Sequence, residues 1–238
     1  IRSELLQRSA GLRRCEVRKR TPLFTGDLAK DFGKEIDFKK QNDAEVRSAI
    51  AWDDTSLYLG WRVADATPWI NGADSPEFMY ARGDTVDFQL GTDPEADENR
   101  AEAAKGDLRL SLGNFRGKPT AVLYRKIAEQ KNPKTFSSGV VRNYVMDSVV
   151  VLQDAKIEVK KGDRWYVVEI AVPLATLGLK PFAGMKLSGD FGATHGTPAG
   201  DDTLLRTYWN NQATGLVNDE VFELKMEPKN WGQILFTE

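Results

Sequence analysis

The chain has 238 residues, 41% hydrophobic and 29% charged, with 33 Lys and Arg against 35 Asp and Glu for a formal net charge of -2. That balance excludes a bare basic surface built for nucleic acid, and the length allows one large domain or two small ones, either with a substantial core. One cysteine, Cys15, excludes an intramolecular disulfide and a cysteine-based zinc site, and no apolar run reaches the ~18 residues that a membrane span needs.

In chain order, residues 1–20 come first. Leu5 and Leu6 open a short helical phase that Gly11 breaks, and Arg13, Arg14, Arg18, Lys19 and Arg20 follow. No aromatic interleaves these charges, as a nucleic-acid platform requires, so the segment reads as a connecting arm to other domains of a parent protein. The chain opens on Ile1 rather than an initiator Met, which fits a processed piece of something longer.

From Thr21 the hydrophobic period becomes two. Leu57, Leu59, Trp61 and Val63 oppose Tyr58, Gly60 and Arg62, then Val86, Phe88 and Leu90 oppose Asp87 and Gln89, and Leu108, Leu110 and Leu112 oppose Arg109 and Ser111. The stretch around Tyr166, Val168, Ile170 and Val172 is apolar on both faces. Turn chemistry at Asp53-Asp54, Arg116-Gly117-Lys118 and Lys160-Lys161-Gly162-Asp163 makes neighbouring strands antiparallel. Helical phase is nearly absent, apart from a turn at Pro173 to Leu179. The expected fold is therefore all-β over residues 21–238, an antiparallel β-sandwich of two sheets, jelly-roll or immunoglobulin-like, with one or two short helical turns.

Chemistry-bearing patterns are sparse. The single histidine, His195, lies in a Gly/Thr/Pro-rich loop without a nucleophile elbow, and there is no P-loop, dinucleotide fingerprint or HExxH helix. Asp84 and Asp87 are the most suggestive carboxylates, and Asp87 reads either as a ligand contact or as the partner of Arg109 on an adjoining polar face. The loop Gly91 to Asp107 is acidic, and Asp93, Glu95 and Asp97, with Asp27, offer oxygen ligands for calcium. Trp69 and Trp209 sit among polar residues and read either as core rings or as platforms for a sugar. Asn210, Asn211 and Gln212 follow Trp209 and supply the donors and acceptors that hydroxyls need.

The succession AWDDTSLYLGWRVAD, ARGDTVDFQLGTD, RWYVVEIAVPLATLGLKPFAGMKLSGDFGA and NWGQILF resembles the family 9 carbohydrate-binding modules and the wider DOMON-like sandwiches, over about residues 21–238. The resemblance implies a non-catalytic, extracellular or periplasmic module. Such a module binds sugars or polysaccharide ends between two rings, with an acidic residue and an arginine, and some members hold structural calcium. By position, Asp87 matches the acidic contact and Arg109 the arginine. Tyr80 or Trp69 would replace the first ring, and Trp209, or otherwise Leu216 or Val217, stands near the second. Other relatives of this sandwich bind haem b, for which Met79 and His195 would be the axial pair. A third reading is an accessory domain without a small ligand.

Overall fold

The computed structural model describes residues 12–40, 44–137, 143–211 and 223–238. In chain order the strands are β1 (Arg14–Lys19), β2 (Ile36–Lys40), β3 (Ala44–Trp52), β4 (Ser56–Ala64), β5 (Thr85–Gly91), β6 (Asp107–Phe115), β7 (Lys118–Arg125), β8 (Lys134–Ser137) and β9 (Asn143–Met146). They continue with β10 (Ser148–Val151), β11 (Lys156–Gly162), β12 (Trp165–Pro173), β13 (Lys186–Gly196), β14 (Thr203–Tyr208) and β15 (Gly232–Thr237). The described residues also include two short helices, α1 (Leu28–Phe32) and α2 (Leu174–Leu177), and 3-10 turns at Pro76–Ala81 and Pro228–Asn230. Asp27 caps α1 through its carboxylate, and Gly33 and Gly178 end the two helices in left-handed conformation.

The principal sheet runs β10-β7-β6-β5-β13-β15-β1-β3-β4-β12-β11, with β14 added to β13 and β2 to β3. It curls until β11 meets β7 and β14 meets β2, making an all-β sandwich. The inward residues foreseen by alternation, among them Leu57, Leu59, Trp61, Val63, Val86, Phe88, Leu90, Leu108, Leu110 and Leu112, form the main core. Phe38 meets Phe191 edge-to-face across it, 5.6 Å between centroids.

Two expectations need correction. The stretch expected as an arm contains β1, which lies between β15 and β3, pairs in parallel with both, and buries Cys15 and Val17. Its outward Arg14, Glu16 and Arg18 mask an inward alternation only two residues long. The sheet is therefore not purely antiparallel. Residues 1–11 of that arm lie outside the described residues.

Both outer faces are also covered. Leu28 and Phe32 of α1 pack on Ala49, Ala51, Tyr58 and Val167. On the other side, the turn Pro76–Ala81, the β8–β9 hairpin and Leu224, Met226 and Trp231 roof β5, β6 and β7. For this reason β5 is buried at every position, polar residues included.

Candidate functional site

The roofed outer face of β5, β6 and β7 gathers the unusual chemistry. Alternation puts Asp87 and Gln89 of β5 on the face opposite Val86 and Phe88, and the antiparallel register sets Asp87 across from Ser111 and Gln89 across from Arg109. Arg109 in turn stands across from Tyr124 of β7. Nη2 of Arg109 lies 2.8 Å from Oδ2 of Asp87, with both side chains at 1% exposure or less. The Tyr208 hydroxyl donates to the same carboxylate oxygen, and Nη1 of Arg109 donates to the carbonyl of Glu223. The guanidinium sits over the Tyr80 ring, 5.4 Å from its centroid. Burial opposes its charge, but Asp87 beside it holds Arg109 protonated, above its ordinary range. Burial and the Asp87 charge push the Tyr208 phenol well up.

The roof is tied to this face by further polar contacts. Arg206 pairs with Glu223 and donates to the Tyr80 carbonyl at 3.3 Å. Trp231 Nε1 donates to Gln89 Oε1 at 3.2 Å, and the Tyr124 hydroxyl to the Glu77 carbonyl at 2.9 Å. Three buried atoms keep unused capacity: Asp87 Oδ1, Arg109 Nε and Ser111 Oγ. An acceptor, a donor and a hydroxyl on two paired strands are complementary to a diol, and unfilled buried capacity is costly unless something occupies it.

The rings foreseen as platforms are core residues. Trp69 is 4% exposed, and its left-handed backbone, φ 62°, turns the indole onto Tyr166 at 5.1 Å. Tyr80 belongs to the roofing turn and is fully buried. Trp209 stacks on Phe191 at 4.8 Å and 9°, and occupies the space left by Gly232, where a Cβ would come within 2.3 Å of it. An exposed ring in a polar loop and an inward ring beside turn residues look alike in sequence. The amides that follow are largely structural. Asn210 accepts from the Arg13 N–H at 2.9 Å and donates to the Asn230 carbonyl at 2.8 Å, and Asn211 donates its backbone N–H to Asp190 at 2.8 Å. Gln212, Leu216 and Val217 lie outside the described residues.

The metal and haem candidates are not assembled. Asp27 caps α1, Asp93 Oδ1 accepts from Glu95 N–H at 3.0 Å, and Asp97 Oδ1 accepts from Asn99 N–H at 2.9 Å. Among the described residues, no three His, Cys, Asp or Glu side chains form a metal-holding group. Met79 and His195 are likewise engaged with other residues. Met79 is fully buried with its sulfur against Gly113, while His195 faces Asp65 at 3.1 Å through Nδ1 and Thr207 at 3.3 Å through Nε2.

Strand alternation thus paired Asp87 with Arg109 and set Ser111 on the same face as Arg109, but Tyr208, Arg206 and Tyr124 were missed as their companions. The signal was available for two of them: in Arg206-Thr207-Tyr208-Trp209, alternation puts Arg206 and Tyr208 on the face opposite Trp209.

No protein-family model matches the chain, and no curated protein matches it. Among solved structures, the chain is similar to a family 9 carbohydrate-binding module from Caldicellulosiruptor kristjanssonii in complex with cellotriose, at 13% identity over 94% of each chain, with a TM-score of 0.62. A family 9 module from the same organism in complex with glucose aligns at 15% identity over 94% of this chain and 96% of that one, TM-score 0.59. A Bacteroides uniformis protein assigned provisionally to carbohydrate binding follows at 11% identity, covering 94% and 99%, TM-score 0.53. The fold is that of these β-sandwich modules. Among the described residues, no helix is long and apolar enough to cross a membrane.

Proposed function

We propose that this chain is a non-catalytic carbohydrate-binding module of a larger exported protein, acting outside the cytoplasm. The observation that carries the reading is a fold shared over 94% of both chains with a module in complex with cellotriose. The polar face beneath the 76–81 turn is its sugar seat. Asp87 Oδ1, Arg109 Nε and Ser111 Oγ offer the hydrogen bonds, with entry requiring the 76–81 turn, Tyr80 included, to shift. Stacking between two exposed tryptophans is not part of this mechanism, since Trp69 and Trp209 are buried.

Ser111→Ala is the cleanest test because it deletes a buried hydroxyl that has no partner, so the fold should keep or slightly gain stability. Affinity electrophoresis and calorimetry with cellotriose, preceded by a glycan array for other sugars, should show retention by the native chain. Ser111→Ala should weaken it about tenfold, the worth of a typical hydrogen bond of about 1.4 kcal/mol. Unchanged affinity in a folded Ser111→Ala protein would remove the seat from this face, and silence of the native chain across the array would remove the function.

A further inference from the structure

Residues 65–84 connect β4 to β5 and carry the turn that roofs the polar face, and both ends of this segment come to the same two residues of β13. Asp65 Oδ2 lies 3.1 Å from His195 Nδ1, and Asp84 Oδ1 accepts from the Gly196 N–H at 2.8 Å. The other Asp84 oxygen accepts from the Ile70 N–H at 2.9 Å, closing the segment on itself. The β13–β14 register shifts between His195 and Gly196, so a bulge presents both residues to the joint. The contact is intimate: a Cβ on Gly196 would stand 2.3 Å from the Gly83 Cα.

Asp84 is buried at 1% exposure. The titratable groups around it are Asp65 just after β4, His195 on β13, and the Tyr166 phenol of β12, which also feels Asp65 and Asp87 of β5. Arg82 and Asp202 stand on the adjoining turns. The Tyr166 hydroxyl is buried without a hydrogen-bond partner. Two carboxyl groups therefore share one water-poor joint, where two negative charges repel each other and are poorly solvated.

We propose that Asp65, Asp84 and His195 form a pH-sensitive fastening of the 65–84 segment, tight while Asp84 holds a proton and looser once it is an anion beside Asp65. Burial first, and then the Asp65 charge, push Asp84 up to about 6, against the pull of the Ile70 and Gly196 N–H groups and of His195. The change thus falls at mildly acidic pH. This fastening is independent of what the roofed face binds.

Native-state hydrogen exchange between pH 5 and 7.5, corrected for intrinsic rates, tests it on the whole chain. Protection of the Ile70 and Gly196 amides should fall about tenfold or more as pH rises, the equivalent of one unit of pKa or above. Asp84→Asn should make that protection independent of pH. Direct titration of the Asp84 carboxyl carbon by NMR keeps the test decisive if this variant does not fold, with a midpoint near 6 expected. A midpoint in the ordinary aspartate range near 4, or wild-type pH dependence persisting in Asp84→Asn, would overturn the proposal.

Discussion

Tyr208 and Trp209 are adjacent in sequence and face opposite sides of the sheet, and the chemistry of each follows from its side. Trp209 enters the main core, flat against Phe191 and over Gly232, while Tyr208 reaches the Asp87 carboxylate on the outer face. Replacing the indole by a methyl group leaves a large cavity between stacked partners. Trp209→Ala should therefore cost about 3–5 kcal/mol in urea unfolding. A cost below about 1 kcal/mol would mean that the ring fills no core. Residue-scale legibility was uneven for the same reason. The pairing of Asp87 with Arg109 follows from strand alternation, whereas burial of both depends on a roof contributed by residues 76–81 and 223–231, far away in sequence. A polar strand face reads as solvated when nothing local announces its cover.

At the scale of elements, β1 is the instructive case. It joins β15 to β3, so among the described residues the two halves of the long sheet are continuous only through six residues, three of them cationic. Long alternating strands such as β4 and β12 were plain in sequence because each shows four inward apolar positions. In β1 only Cys15 and Val17 point inward, and the five-residue α1 is too short to display a helical period. The fold class was therefore legible, and the connector that closes it was not. The single cysteine makes this testable. Burial is the main reason the Cys15 thiol is pushed up to about 12, so the native protein should not react with a thiol reagent at pH 8. Val17→Asp puts an unpaired carboxylate into a fully buried position and should expose Cys15 to rapid labelling, whereas Arg18→Asp, on the exposed side, should stay within about 0.5 kcal/mol of the native stability. Equal labelling of the two variants would show that β1 is not a central strand in solution.

For the whole molecule, covering both sides of a curled sheet draws carboxyl groups out of water, and this sets the direction of its pH response. Asp190 on β13 is pushed up to about 7 by burial, although the Asn210, Asn211 and Phe191 N–H groups pull it down. Asp84 is pushed up to about 6 by burial and Asp65, and Glu169 to about 7 by burial and Asp31. Each holds its proton more tightly folded than unfolded, so between about pH 4 and 7 the native state binds the extra protons and stability falls as pH rises. Asp53 acts with the opposite sign. Burial alone would raise it, but hydrogen bonds from Tyr58, Thr21 and Thr55 outweigh that and hold its carboxyl below the ordinary range. Its contribution is present above about pH 4 and is lost only in stronger acid. The two effects place the stability maximum near pH 4, where the acid limb of Asp53 meets the fall set by the raised carboxyls, rather than at neutrality. Calorimetry should give a Tm higher at pH 5 than at pH 8 by at least about 5 °C, since each kcal/mol is worth about 2–4 °C in a chain of this size. Asp190→Asn should shrink the difference while leaving the acid limb, which belongs to Asp53, in place. A Tm that is flat or higher at pH 8 would mean that these carboxyls reach water in solution, and that the covers over the sheet are open.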